Sequence, residues 1–167
     1  FEIIIPTTGP HECAYIELTS AVLPGEVGRA DAFVSHAWLF DFAELVSALE
    51  AANLPPETKF WVDIAVVNQH VNATRGFDWW STTFRGAIGS IGLTLLVLAP
   101  WRAPVPLRRA WCLFELFVAM QSECKVTMCF GREDADALHT AVTNGNYSAD
   151  QAVGEIDAAG AGATKSS

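Results

Sequence analysis

The sequence lacks a hydrophobic run long enough to cross a membrane. Its longest apolar stretches, "IGLTLLVLAP" and "WCLFELFVAM", fall short of the roughly 20 residues that a membrane-spanning helix needs. No basic segment precedes an apolar stretch near the beginning, so a secretory signal is not indicated either. These absences predict a soluble, cytoplasmic protein without a membrane partner.

Basic residues are also scarce, with 10 Lys and Arg against 19 Asp and Glu and a formal net charge of −9. A surface that follows phosphates needs clustered cations, so nucleic acid is not expected as a partner. Hydrophobic residues are abundant at 51% of 167 residues, and six of these are tryptophans. That composition suits one well-buried domain.

Cysteines are few and have no metal or redox spacing. No two form a CxxC pair, and their density is too low for a secreted disulfide scaffold. The sequence therefore predicts buried free thiols in a reducing compartment, at Cys13, Cys112, Cys124 and Cys129.

Several enzyme signatures are missing as well. The chain has no G-x-G-x-x-G after its first strand, no GxxxxGK[ST] and no G-x-S-x-G, which disfavours a Rossmann dehydrogenase, a P-loop NTPase and an α/β-hydrolase. The glycines of "GAIGSIG" (Gly86 to Gly92) lie on a helical stripe and are better explained by helix packing. No metal is predicted, because the imaginable ligands His36, Asp63, His70 and Cys112 share no short spacing.

What the sequence does contain is an alternation of short apolar runs with longer amphipathic segments, the pattern of βαβ units. Strands are predicted at "DAFVSH", "KFWVDI", "LTLLVLAP" and "KVTMCF". Their centres are separated by roughly 30 residues, the length of one crossover, so the sheet should be parallel. The strands are apolar nearly throughout, which indicates helices on both faces. The predicted fold class is therefore α/β.

Helices are predicted between these strands from apolar residues at helical spacing. The first has Phe42, Leu45, Val46 and Leu49, with Asp41 near its beginning. The second carries an apolar stripe of Phe77, Trp80, Phe84, Ile88 and Ile91. "LRRAWCLFELFVAMQS" is a third, and "EDADALHTAV" and "SADQAVGEID" are short helices further on.

The chain divides into three parts on composition. Residues 1–30 form an N-terminal extension with a strand expected at "FEIII" or "AYIEL", residues 31–157 form the α/β domain, and residues 158–167 form a Gly- and Ala-rich tail.

Polar residues follow the predicted strands where ligands bind in open α/β sheets, beyond their carboxyl ends. Ser35, His36 and Trp38 follow the first strand, Asp63 the second and Trp101 the third. For each of them a structural role is the competing interpretation: a turn histidine bonded to backbone, an aspartate that orders its loop, tryptophans in the core. The loop "NQH" after the second strand is expected to be solvated.

Glu115 is the one carboxylate in the apolar run "RRAWCLFELFVAM". No cation lies at i±3 or i±4 on the helix, so the side chain has no local partner. An ionised carboxylate removed from water without a partner costs several kcal/mol. Glu115 must therefore face solvent, meet a tertiary partner such as Arg102, or face a ligand cleft.

Three segments in order resemble the motifs of TIR (Toll/interleukin-1 receptor) domains. "DAFVSHAW" is similar to the first box, "FWVDI" to the second strand with its Asp, and "AWCLFEL" to the WCxxEL motif. The combination "FVSHAW…NQH…WCLFE" most resembles divergent TIR-like domains of protists and algae. The resemblance covers about Asp31 to Phe130 and implies that residues 31–157 form a TIR-like domain.

The resemblance implies a flavodoxin-like sheet of strand order 2-1-3-4-5, and one of two activities. Some TIR domains hydrolyse the nicotinamide glycosidic bond of NAD+ in signalling or defence, after self-association; others are non-catalytic scaffolds. In the enzymes the motif glutamate is catalytic, and it corresponds to Glu115. NAD+ is then a substrate rather than a cofactor, and homotypic domains or other domains of a larger chain are the partners. The substrate-binding residues would be Ser35, His36, Trp38, Asp63, Trp101, Trp111 and Cys112.

Overall fold

A computed structural model describes residues 3–71 and 75–148 of the chain. Seven α-helices and four β-strands lie in these residues. The helices are α1 (Ile4–Thr8), α2 (Tyr15–Val22), α3 (Phe42–Ala51), α4 (Asp63–Val66), α5 (Phe77–Ile91), α6 (Ala110–Gln121) and α7 (Arg132–Thr143). The strands are β1 (Ala32–Ser35), β2 (Phe60–Trp61), β3 (Leu93–Val97) and β4 (Lys125–Cys129).

The four strands form one parallel sheet in the order β2-β1-β3-β4. Phe33 of β1 lies between Trp61 of β2 and Thr94 of β3. Strands β1 and β3 are the central pair and are almost wholly buried. The fold is therefore a flavodoxin-like α/β sheet, and its order agrees with the first four positions of the predicted 2-1-3-4-5.

The described residues, 3–71 and 75–148, contain no fifth strand. In this part of the chain β4 is therefore the last strand of the sheet. The second short helix predicted at "SADQAVGEID" lies outside the described residues from its second position on, and so does the tail at 158–167.

Each face of the sheet carries its own hydrophobic layer. On one face Val34, Leu95 and Cys129 pack with Leu45 of α3. On the other face Phe33 packs with side chains of α5 and α6, namely Phe84, Ile88, Val118 and Ala119. Alternate residues of each strand serve alternate layers, which is why the strands needed to be apolar at every position.

Helices α3 and α5 form where the apolar periodicity predicts them, although the first residue of each predicted stripe, Phe42 and Phe77, remains 63% exposed. Asp41 caps α3 by accepting a hydrogen bond from the Ala43 N–H at 3.1 Å. The stripe predicted for α5 places Phe84 and Ile88 in the core. Gly92 ends this helix with φ of +78°, a conformation that side chains with a Cβ rarely adopt, which explains the last glycine of "GAIGSIG".

The prediction of a strand in the N-terminal extension is wrong for the described residues, since Ile4 and Ile5 of "FEIII" lie in α1 and most of "AYIEL" lies in α2. "AYIEL" opens α2, where the Glu17 carboxylate accepts a hydrogen bond from the Ala14 N–H at 2.7 Å and caps the helix. Strand β2 is also shorter than predicted, because Asp63 already begins α4. None of the described helices is both long enough and apolar enough to cross a bilayer.

Ile88 is fully buried between the sheet and α6, so its truncation tests the second layer. We expect Ile88→Ala to lower the free energy of unfolding by about 2–5 kcal/mol, because it leaves a cavity in a packed core. Leu39→Ala, at a leucine that is 76% exposed, is the control and should change it by about 0.5 kcal/mol or less. Urea unfolding followed by tryptophan fluorescence measures both; equal losses would contradict the core assignment.

Candidate functional site

Six of the side chains singled out from the sequence lie together at the carboxyl ends of β1 and β2. We call them the Glu115 cluster: Ser35, His36, Trp38, Asp63, Cys112 and Glu115. Ser35, His36 and Trp38 lie at the end of β1 and in the loop after it, and Asp63 follows β2. Cys112 and Glu115 belong to α6, whose first turns cross over the end of β1. Parallel strands end at a common edge, which is why residues 80 positions apart meet here.

Glu115 is buried, with 6% of its surface exposed. The hydroxyl of Ser35, the last residue of β1, donates a hydrogen bond to its Oε2 atom. Arg102 is not its partner, contrary to one of the sequence-based alternatives, since that guanidinium lies over the ring of Trp101. A solvent-facing position, the other structural alternative, is also wrong.

Burial raises the pKa of the Glu115 carboxyl well above its ordinary value of 4.5. The Ser35 hydrogen bond opposes this effect, Asp63 adds to it, and Arg109 opposes it. Burial likewise raises the pKa of the neighbouring Cys112 thiol, with a further contribution from Glu115. Its Sγ donates to the His36 carbonyl at 3.4 Å, so Cys112 is a neutral packing residue in this geometry.

Asp63 connects the second strand to the loop after the first. Its Oδ2 accepts a hydrogen bond from the Trp38 indole N–H at 2.6 Å, and its Oδ1 lies 3.8 Å from His36 Nε2. Oδ1 also accepts from the Ile64 N–H at 2.7 Å. Asp63 therefore performs the loop-ordering role weighed for it, and it holds Trp38 and His36 beside Glu115.

Two other predicted site residues lie elsewhere. Trp101 packs against Tyr147, with ring centroids 5.1 Å apart, and lines a depression of about 480 Å³ beside α7. Trp111 faces the aromatic layer between α5 and α6, where it stacks with Phe77 at 5.5 Å. Neither ring is part of the Glu115 cluster, because the sequence could not tell toward which neighbour each ring turns.

The polar loop after β2 contributes more than predicted. Gln69 is buried, not solvated, and its amide donates to the carbonyls of Asp63 and Val67 at 3.2 and 2.9 Å. His70 Nε2 lies 2.7 Å from the hydroxyl of Thr8, which is fully buried. Asn68 was the available signal, because asparagine side chains often bond nearby backbone, and here the side chain accepts a hydrogen bond from the His70 N–H at 2.9 Å.

Potential metal ligands do not converge. Within the described parts of the chain, no group of three or more His, Cys, Asp and Glu side chains is arranged to hold a metal ion. His36 and Asp63 approach each other, whereas His70 is bonded to Thr8 instead.

The raised pKa of Glu115 predicts a pH-dependent stability. The pKa of Glu115 is higher in the folded protein than in the unfolded protein. Its contribution to the free energy of unfolding is therefore fully present below pH 4.5 and is lost as the pH rises through the pKa of the folded protein. Glu115→Gln keeps an acceptor for Ser35 but cannot ionise. As the pH rises, we expect the free energy of unfolding of the wild type to fall relative to that of this variant, by at most about 1.4 kcal/mol per pH unit.

Urea unfolding across about pH 5 to 8 measures this difference. Glu44→Gln, at an exposed position of α3, is the matched control and should run parallel to the wild type. Parallel curves for Glu115→Gln and the wild type would show that the carboxyl is not held protonated by the fold.

Comparison with known proteins gives no information on the function of the site. No protein-family model, curated protein or solved structure matches this chain.

Proposed function

We propose that this chain is a TIR-like domain that hydrolyses the nicotinamide glycosidic bond of NAD+, with Glu115 as the catalytic carboxylate. The observation that carries the proposal is the setting of Glu115. It is the one acidic side chain of α6, and it is buried beside Ser35 at the carboxyl end of the central strand β1. A carboxylate in that place costs desolvation that the hydrogen bond from Ser35 offsets only in part, and a neutral side chain would pack α6 without that cost.

The reaction needs a carboxylate more than an acid. When the bond between the nicotinamide nitrogen and ribose C1′ breaks, the electron pair neutralises the pyridinium, so the leaving group takes no proton. The ribosyl centre gains oxocarbenium character, which an adjacent negative charge stabilises. Water then adds to C1′ and releases a proton, giving ADP-ribose and nicotinamide. Glu115 would bind the ribose hydroxyls and stabilise the cationic centre.

The raised pKa of Glu115 fits a site that becomes charged only when occupied. In the free protein, burial favours the neutral acid. A pyridinium beside the carboxyl supplies the missing counter-charge, lowers its pKa and releases the proton. Turnover should therefore rise with pH through the pKa of the substrate complex, since only the ionised form stabilises the transition state.

Substrate access requires the cluster to open, because only 6% of Glu115 is exposed. The loop that follows β1 carries Trp38, whose indole N–H donates a hydrogen bond to Asp63 of α4. Movement of this loop would uncover Ser35 and Glu115 together. Trp38 would then be free to stack on the nicotinamide or adenine ring, whereas Trp101 packs against Tyr147 and is a weaker candidate.

The burial of Glu115 also favours a second function, a non-catalytic TIR-like interaction module. In such a module the Ser35–Glu115 bond would only connect α6 to β1, and the surface of the domain would bind homotypic domains or other parts of a larger chain. The two functions differ in whether concentrated protein releases nicotinamide.

The hydrolase proposal predicts that concentrated protein converts NAD+ to nicotinamide and ADP-ribose, separable by chromatography. Glu115→Gln should lower the rate by about 100-fold or more, because the variant cannot carry the charge that the transition state needs. Glu44→Gln, on the exposed side of α3, is the control and should keep the full rate. Equal rates for Glu115→Gln and the wild type would refute the catalytic role, and no release by any of the three proteins would favour the interaction module.

A further inference from the structure

One short segment, from Asp63 to His70, lies between the Glu115 cluster and the N-terminal extension. At its first residue it belongs to the cluster, because Asp63 accepts the hydrogen bond from the Trp38 indole N–H at 2.6 Å. At its other end it contacts the extension, and helix α2 of the extension packs against α4. Asp63 and His70 are seven positions apart, so the two contact regions are neighbours along the chain.

Two hydrogen bonds join the extension to this segment. The Thr8 hydroxyl, which is fully buried, donates to the Ile4 carbonyl at 2.8 Å and lies 2.7 Å from His70 Nε2. A hydroxyl has one proton to donate, so Thr8 accepts a hydrogen bond from the imidazole N–H. The second bond is donated by the Asn68 amide to the Glu12 carbonyl at 2.7 Å. Both bonds must break before the extension can leave the segment.

Hydrogen bonds within the segment make its two ends move as one piece. The buried Gln69 amide donates to the carbonyls of Asp63 and Val67 at 3.2 and 2.9 Å. The Asn68 side chain accepts from the His70 N–H at 2.9 Å, which closes a turn at the end of the segment. A displacement at His70 is therefore transmitted to Asp63 instead of being absorbed between them.

We propose that the N-terminal extension is an autoinhibitory clasp: while it is docked it fixes Asp63, and Asp63 keeps the Trp38 loop closed over Glu115. A hydrogen bond to a fixed acceptor is stronger than one to a mobile acceptor, because less entropy is lost when it forms. When the extension leaves, the segment gains freedom, the bond from Trp38 weakens and Glu115 becomes accessible. That closure inhibits turnover rests on the proposed hydrolase function, whereas the opening itself does not.

The extension is held weakly enough to detach while the sheet stays folded. Among residues 3–30, only Thr8 and Ala14 are buried. Its large apolar residues Ile3 and Val22 are 73% and 77% exposed. A region with so few buried contacts opens at a lower free energy than the core does. The clasp can therefore open and close in the folded protein.

Three cysteines report separately on the regions that the proposal distinguishes. Cys13 lies in the extension, Cys112 in the Glu115 cluster and Cys129 in the layer between the sheet and α3. Cys112 and Cys129 are each 3% exposed, so a thiol reagent reaches them only when the structure around them opens. Labelling of the full chain under native conditions, with mass spectrometry of its peptides, gives the three rates.

Thr8→Val keeps the size of the side chain and removes the acceptor of the imidazole N–H. We expect the labelling rates of Cys13 and Cys112 to rise about tenfold or more, since a buried donor loses its partner, and that of Cys129 to stay unchanged. Thr7→Val is the matched control, because Thr7 makes the same hydrogen bond to the carbonyl four positions back but is exposed, and it should change none of the rates. Thr8→Ser keeps the hydroxyl and should label like the wild type.

Several labelling results would overturn the clasp. Faster labelling of Cys13 with unchanged Cys112 would show that the extension leaves while the cluster stays closed. Equal acceleration of Cys112 and Cys129 would show that the whole domain opens. Equal effects of Thr7→Val and Thr8→Val on Cys112 would show that the buried contact has no special role.

Asn68→Asp tests the second hydrogen bond and decides the question if Thr8→Val does not fold. It keeps the acceptor for the His70 N–H but places an oxygen opposite the Glu12 carbonyl, so Cys112 should again label faster. Unchanged labelling of Cys112 in Asn68→Asp, with Thr8→Val either unchanged or unfolded, overturns the proposal.

Turnover by the same variants separates the clasp from the proposed function. If the chain hydrolyses NAD+, Thr8→Val should raise kcat/KM about tenfold, because the fraction of open molecules rises by that factor. Thr7→Val should have the wild-type value. Faster labelling of Cys112 in Thr8→Val without nicotinamide release from any variant would support the clasp and count against the hydrolase.

Discussion

The removal of the Glu115 carboxyl from water is the constraint on which the rest of the site depends. An ionised carboxylate in an apolar layer costs several kcal/mol, and one hydroxyl donor such as Ser35 returns only about 1.5–3 kcal/mol. The balance favours the protonated acid in the free protein. A cation that enters the cluster would reverse this balance, and the proposed hydrolase reaction would use that reversal to stabilise an oxocarbenium ion.

The fold supplies this position through ordinary packing rules. The central strand β1 must be apolar until it leaves the sheet, and its first polar residue, Ser35, is therefore at the edge. Helix α6 returns over that edge and places Glu115 beside Ser35. Asp63, at the end of the next strand, then holds the Trp38 loop against the cluster. The arrangement therefore draws on three neighbouring segments: the end of β1 with its loop, the beginning of α4, and α6.

The fold and part of the Glu115 cluster could be predicted from the sequence, because they depend on the spacing of apolar residues along single strands and helices. The helical stripe that includes Phe84 and Ile88 and the apolar strands fixed the layers, and the strand ends placed Ser35 and Asp63. Burial of Glu115 was not predictable, because the periodicity of an apolar helix does not tell which side faces the sheet. The orientations of Trp101 and Trp111 depended on tertiary contacts with Tyr147 and with α5 in the same way.

The N-terminal extension is the region where residue patterns predicted the wrong secondary structure. "AYIEL" has β-branched and aromatic residues that suit a strand, yet Glu17 can cap a helix, and tertiary contacts favour the helix. Thr8 meets His70, and the Asn68 amide donates to the Glu12 carbonyl at 2.7 Å, so this region packs on the loop beside the site. Contacts between residues more than fifty positions apart leave no periodic signal in the sequence.

The central claim is that Glu115 is a neutral acid in the free protein and becomes ionised when a pyridinium lies beside it. Carbon-13 NMR of the glutamate side-chain carboxyls, with Glu115→Gln to assign the resonance, measures this directly as a titration with and without NAD+. The account predicts a Glu115 resonance that titrates well above pH 4.5 in the free protein and at lower pH with NAD+ bound. A resonance that titrates like an exposed glutamate and does not respond to NAD+ would contradict it.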